Sequence, residues 1–290
     1  MPELPEVETV RRQLAGSVSG LTFMTVERVE RSMLLDCTVE SLRAELPGRS
    51  IQEVDRVGKF IVLRLSGKAF MTIHLGMTGQ ILVRTSGPDV RVDALDPHSR
   101  FLFVLEQGAI EPREWKESSG SATSLEFRDM RKFGRLHVTL GAPPKRLASL
   151  GPDAWKGQWG ADHLSGRLGG RKAPLKALLL DQRILAGIGN IYADEILWEA
   201  RLSPLRPAGS LTPEELVRLA GEIPRRLEEG VRLLGCSISD FVDTDGRPGT
   251  FQQTLQAYGR HGQTCRRCGQ TLVRIVVAGR GTAYCPGCQS

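Results

Sequence analysis

The feature that most constrains this chain of 290 residues lies near its end, where Cys265 and Cys268 form one CxxC pair, Cys285 and Cys288 form another, and sixteen residues separate them. That spacing matches a tetrahedral four-cysteine zinc site, in which the metal supplies folding energy that so short a segment cannot obtain by burial. Four reduced surface thiols would not explain two matched pairs around a strand-like stretch, Leu272 to Val277. One structural zinc ion, Zn2+, is therefore expected. Cys37 and Cys236 have no such partners and read as small hydrophobes.

The other end is equally unusual. The chain opens MPELPEVETVRRQL, with two prolines and three glutamates among its first eight residues. Leu4, Val7, Val10, Leu14 and Val18 recur at helical spacing and predict one buried stripe, so this start is docked and not a frayed tail. Pro5 suits a first helical turn, and Glu6 and Glu8 complement the positive end of the helix dipole. Met1 precedes a small residue and is expected to be removed, leaving Pro2 as a secondary amine beside Glu3 and Glu6. With ordinary values of about 7.8 for an α-amine and about 10.4 for lysine, roughly one terminal amine in seven is neutral at pH 7, against about one lysine in 2,500. Only the neutral form is nucleophilic, so an anchored terminal amine is a candidate reagent; a purely structural helical start is the alternative.

Composition sets the partner class. Apolar residues make up 40% and charged residues 25%, ordinary for a globular protein long enough for two domains. A net charge of +6 favours a polyanion, nucleic acid first. There is no apolar run of membrane-spanning length, and the acidic opening lacks the pattern of a signal peptide, so no membrane partner and a cytoplasmic location are expected.

From about residue 20 to 140 the pattern is of short strands such as FIVLRLS, AFMTIHLG, QILVR and RFLFVLE, punctuated by Gly48, Gly67, Gly76 and Gly79. This predicts an antiparallel sandwich or flattened barrel. Glu111 to Thr123 reads as an exposed hairpin loop. A Pro/Gly-rich linker, GAPPKRLASLGPDAW, precedes helices expected over Pro174 to Asp181, Asn190 to Ala200, and from LTPEEL onward, where Thr212, Pro213 and Glu215 form a capping box. Between the first two helices, Gly187 and Gly189 in ILAGIGNIYADE permit a tight turn into a helix start, a geometry suited to a phosphate, although such turns between helices are mostly structural. Asp243, Asp245 and Gly246 lack the glycine and glutamate positions of a calcium loop.

Taken in order, PELPEVET, HLGMTG, DMRKFG, GIGNIYADE, DFVDTDGRPG and the four-cysteine finger resemble the formamidopyrimidine-DNA glycosylases, bacterial enzymes that remove oxidised purines. The resemblance spans essentially the whole chain. It implies an α+β fold: an N-terminal antiparallel β-sandwich with an N-terminal helix over 1–140, a linker over 141–150, a helix-two-turns-helix domain over 151–235, a lesion-recognition loop and connection over 236–262, and a β-hairpin zinc finger over 263–290. It implies Pro2 as nucleophile, Glu3 as acid at the sugar ring oxygen, Glu6 holding the site, and Lys59 beside them reaching phosphate. Met77, Arg131 and Phe133 match the family's wedge residues, which fill the hole left by a flipped base. His74, Asn190 and Arg280 match its phosphate contacts. The implied partner is double-stranded DNA carrying oxidised bases or abasic sites, bound by a monomer.

The sequence departs from the family at three places. Lys132 stands where arginine is common, Glu111 to Thr123 reads as an insertion, and HSR at His98 to Arg100 replaces a histidine-richer stretch. Endonuclease VIII, a sister enzyme for oxidised pyrimidines, is the nearest alternative; PELPEV, the wedge and the long DFVDTDGRPG loop favour the purine enzyme. A non-catalytic zinc-finger DNA-binding protein would have no use for the proline amine and both glutamates.

Overall fold

The computed structural model describes residues 1–86, 96–107 and 122–290. Of the loop expected at Glu111 to Thr123, all but the last two residues lie outside the described set; Ala122 and Thr123 are buried at the start of a strand. The chain divides into two compact units. One takes in Met1–Pro2, Glu6–Ala148 and Cys236–Gly249, the other Glu3–Pro5, Ser149–Gly235 and Thr250–Ser290.

The first unit is a β-sandwich. Helix α1 (Leu4–Val18) is followed by β1 (Leu21–Val29), α2 (Val39–Glu45), β2 (Ile51–Val57), β3 (Phe60–Leu65), β4 (Ala69–His74), β5 (Gly79–Ser86), β6 (Ser99–Gln107), β7 (Ala122–Asp129), β8 (Arg135–Leu140) and the short α3 (Lys145–Ala148). Two four-stranded antiparallel sheets form, one in the order β1-β6-β7-β5 and the other β2-β3-β4-β8. Their alternating Val, Ile, Leu and Phe side chains meet in one core that also takes Val7, Val10, Leu14 and Val18 from α1. The apolar stripe read at the start of the chain is thus buried, and α1 begins one residue before Pro5, which sits in its first turn. Helix α2 was not foreseen; Thr38 and Ser41 start it with a reciprocal cap instead of the usual glutamate.

The second unit is helical and ends in a hairpin. Its elements are α4 (Ala161–Leu168), α5 (Leu175–Leu179), α6 (Asn190–Glu199), α7 (Pro213–Arg232), β9 (Val273–Val277) and β10 (Arg280–Tyr284). Helix α7 starts on the expected Thr212–Glu215 capping box, with Pro213 in its first turn. Helix α5 ends earlier than its sequence suggests because the Asp181 carboxylate accepts from the Arg183 N–H, a local turn that competes with helix. Helix α4 escapes sequence reading because its ends are glycines without a side-chain cap. No helix among the described residues is long and apolar enough to cross a membrane.

Candidate functional site

In the first unit Met1 is exposed, but the residue behind it is not. Pro2 and Glu6 are buried, and Glu6 Oε1 accepts the Cys236 N–H at 2.7 Å, tying the 236–249 segment to α1. Gln13 holds the same segment further along, donating to Asp243 at 2.8 Å and accepting from the Thr244 N–H at 3.0 Å. Glu8 has another role. Burial would raise its pKa, but Arg11, Arg12 and Arg56 hold the carboxyl below its ordinary range, so it is a charge-paired strut and not a proton donor.

Lys59 is buried at the turn between β2 and β3, and His74 ends β4. Burial, then the charges of Lys59, Arg135 and Arg146, push the His74 pKa down from 6.5 to about 4. Its Nδ1 accepts the Gly76 N–H at 3.1 Å, which leaves Nε2–H as the donor of a neutral ring. A neutral N–H can contact phosphate without changing charge across the physiological range. The same shift has a stability consequence. The folded chain refuses a proton that the unfolded chain accepts, so stability is expected to fall as pH drops from about 6.5 through about 4. His74→Gln should flatten that decline; denaturant midpoints that fall equally in both proteins would show that His74 does not cause it.

Two turns carry the proposed wedge residues. Met77 follows β4 in HLGMTG and is 36% exposed; Phe133, in DMRKFG after β7, is 46% exposed. Neither belongs to the sandwich core, the role that their residue types alone suggest. The Arg131 guanidinium lies 4.7 Å from the centre of the Phe133 ring. Gly76, at φ +65°, lets the turns touch, since a Cβ there would stand 2.5 Å from the Gly134 nitrogen and the Phe133 carbonyl carbon. The residue that organises both turns, Asp129, was missed by sequence reading. It is fully buried and accepts hydrogen bonds from Thr78, Arg131 and Gly134; its place at the head of DMRKFG was the available signal. Lys132 pairs with Glu30 at 2.6 Å, and that contact pulls the Glu30 carboxyl down to about 2.

In the second unit, Glu3 sits on the start of α6. Its oxygens accept the N–H groups of Ile191 at 2.8 Å and Tyr192 at 3.3 Å, while the Leu4 N–H donates to the Gly187 carbonyl at 3.1 Å. This corrects the phosphate reading of GIGN. The orphan donors of a helix start bind an anion, and the anion here is the chain's own carboxylate. Gly189 is needed for that approach, because a Cβ there would lie 2.2 Å from the Glu3 carboxyl carbon. Gln182 braces the turn from the other side, accepting from the Gly187 N–H and donating to the Ile188 carbonyl, both at 2.9 Å.

Asn190, the first residue of α6, donates to the Gly281 carbonyl at 3.1 Å, and Arg280 stands exposed at the start of β10. Both border the same end of the hairpin. A cavity of about 250 Å³ there is lined by Asn190, Tyr258, His261, Arg274 and Thr282, among others. The hairpin is fixed by a buried pair, Lys176 and Asp194 at 2.5 Å, with Lys176 also donating to Thr282 at 2.7 Å and Asp194 accepting from the Ala283 N–H at 3.0 Å. Burial lowers the pKa of Lys176 and raises that of Asp194, each opposed by its partner. Glu195 accepts the N–H groups of residues 256 to 258 and pairs with Arg226 at 2.6 Å. Acidic residues inside the apolar run of α6 were the unread sign of these anchors.

The sulfurs of Cys265, Cys268, Cys285 and Cys288 lie within 4.8 Å of one another. Zinc–sulfur bonds of about 2.3 Å in a tetrahedron put sulfurs roughly 3.8 Å apart. Separations of 3.9 Å between Cys265 and Cys288 and 3.4 Å between Cys268 and Cys285 fit such an ion. With four thiolates the coordination shell is closed, so the metal is structural and fixes the hairpin that carries Arg280.

An N-terminal helix on an antiparallel sandwich, followed by a helical unit with a four-thiolate hairpin, has known counterparts. Three family models match in chain order: the formamidopyrimidine-DNA glycosylase N-terminal domain over residues 1–136, the formamidopyrimidine-DNA glycosylase H2TH domain over 150–242, and a zinc finger found in FPG and IleRS over 262–290. That succession defines the class as a zinc-finger DNA glycosylase. The formamidopyrimidine-DNA glycosylase of Carboxydothermus hydrogenoformans is 39% identical over 289 residues, covering 100% of both chains. The crystal structure of MutM (Fpg) from Thermus thermophilus superposes with a TM-score of 0.83 at 42% identity, covering 99% of this chain and 98% of that one. A Lactococcus lactis FPG mutant bound to DNA containing Fapy-dG gives 0.86 at 31% identity, covering 99% of each. The chain belongs to the formamidopyrimidine-DNA glycosylase family.

Proposed function

We propose that this protein is a bifunctional DNA glycosylase and AP lyase of base excision repair, acting on oxidised purines in duplex DNA through the amine of Pro2. The observation that carries the reading is the anchored start of the chain: Pro2 is buried, the Glu3 carboxylate accepts the N–H groups of Ile191 and Tyr192, and the Leu4 N–H donates to the Gly187 carbonyl. A frayed terminus would lose an attacking amine to solvent; a fixed one holds it at high effective concentration. Relatives solved with DNA containing Fapy-dG, 8-oxo-G analogue or an abasic site support the substrate class.

The chemistry follows from the groups present. The target nucleotide leaves the stack so that its sugar can be reached. With Met1 removed, the neutral Pro2 nitrogen attacks the anomeric carbon, and the carbon–nitrogen bond to the base breaks as the base takes up a proton. Opening of the sugar ring gives an iminium, which acidifies the adjacent sugar proton and permits β-elimination and then δ-elimination of the two phosphates. Glu3 is assigned to the sugar ring oxygen, with both its oxygens oriented by backbone donors. Glu6 steadies the chain start, while Lys59, His74, Asn190 and Arg280 hold phosphates. Arg131 faces the base opposite the lesion, and Met77 and Phe133 fill the vacated stack. In a bacterial cell this work lies in the cytoplasm.

The deciding measurement is single-turnover excision from duplexes bearing 8-oxoguanine, dihydrouracil or no lesion. The 8-oxoguanine duplex is expected to react at least about tenfold faster than the dihydrouracil duplex, since a site that hydrogen-bonds one base strongly penalises another. The opposite order would make the chain an endonuclease VIII-like enzyme for pyrimidines.

A further inference from the structure

We infer that Asp129 and Thr78 clamp the Met77 turn and the Arg131–Phe133 loop into a single insertion unit, making them positioning residues for base extrusion. The inference rests on the assignment of those three side chains as the wedge. The two segments come from paired strands: the Met77 turn runs into β5, the Arg131 loop runs out of β7, and Gly79 is opposite Asp129 in the ladder. Strand pairing alone leaves the projecting tips independent. The Asp129 carboxylate removes that independence. One oxygen, Oδ1, accepts both the Thr78 hydroxyl and the Arg131 N–H, the latter at 3.1 Å; the other, Oδ2, accepts the Gly134 N–H at 2.7 Å. The Arg131 N–H also reaches Thr78 Oγ1 at 3.3 Å, closing the link across the two turns.

Asp129 is itself immobilised. It is fully buried, its N–H donates to the His98 carbonyl at 2.9 Å, and its carbonyl accepts Arg100 Nε at 2.7 Å. Gly76 lies flat against Phe133 and Gly134, and Lys132, with φ +55°, is tethered to Glu30. A wedge must displace stacked bases, and any freedom it retains before insertion is entropy lost on insertion. Locking both tips in advance removes part of that loss. It also makes the tips depend on each other, because disturbing one shifts the common carboxylate.

The test is a set of single-turnover excision rates on an 8-oxoguanine:cytosine duplex for Met77→Ala, Arg131→Ala and the double variant, each in the wild-type and Thr78→Val backgrounds. Thr78→Val keeps the side-chain shape and deletes both the hydrogen bond to the Asp129 carboxylate and the acceptor for the Arg131 N–H, so excision should slow at least about tenfold, and Thr78→Ser should restore it. In the wild-type background the double variant should be scarcely slower than the worse single variant; in the Thr78→Val background the two losses should multiply. Trapping on a duplex with a preformed abasic site, which needs no intact base extruded, should suffer less from Thr78→Val than excision does, and shows the variant to be folded. Losses that already multiply in the wild-type background, or a Thr78→Val enzyme as fast as wild type, would overturn the clamp. If Met77→Ala and Arg131→Ala are both silent, the wedge assignment itself fails, and the clamp with it.

Discussion

Pro2→Gly is expected to abolish most borohydride trapping of the protein on a lesion-containing duplex, with excision falling at least about a hundredfold. The iminium formed by a secondary amine has no proton to lose at nitrogen and is reduced to a stable covalent adduct. Glycine also offers an amine, but without the ring that fixes its direction, and misplacement of a reacting atom by about 1 Å is enough for such a loss. Little change in stability should accompany it, because the apolar stripe of α1 and the hydrogen bonds of Glu3, Leu4 and Glu6 do not involve the Pro2 ring. A chain that retains Met1 has an amide at this nitrogen and should not trap at all. Normal trapping by protein whose intact Met1 is verified by mass spectrometry would exclude Pro2 as the nucleophile.

Cys265→Ala should have the second large effect. Purified wild-type chain is expected to hold about one zinc and the variant almost none, since three thiolates bind a structural zinc far more weakly than four. Cys265 and Cys285 are also buried against Trp198, Ala257 and Leu272, so losing the ion loosens the packing beneath the hairpin. Arg280, the proposed phosphate contact, then loses its fixed direction. DNA affinity should fall at least about tenfold, and its dependence on salt should become shallower by roughly one phosphate contact. Wild-type protein that purifies without zinc yet binds DNA normally would remove the metal from the account.

Gln182, Asp129, Lys176, Asp194 and Glu195 hold the candidate site residues in place, and none of them was assigned from sequence. Each makes its decisive contacts with groups distant in the chain or on the far side of a turn: Lys176 reaches Thr282, Asp194 reaches Ala283, and Glu195 reaches Ala257. No local spacing encodes such pairs. By contrast, residues whose chemistry depends on near neighbours were legible. The two CxxC pairs, the Thr212 to Glu215 capping box and the apolar stripe of α1 all repeat at the period of the local structure they build.

By itself, then, the sequence determined the order of modules, the metal site and the docking of the first helix, because ligand spacing and hydrophobic periodicity are properties of consecutive residues. Only the tertiary structure decided what the glycines of GIGN are for. A helix start accepts any anion, and whether a phosphate or Glu3 occupies it depends on where residue 3 lies in space. It likewise decided that Met77 and Phe133 stand exposed, a distinction that residue type cannot make, and that Asp129 is buried among donors from two turns. A buried carboxylate must be satisfied by hydrogen bonds, and which donors satisfy it is settled only when the chain is folded around it.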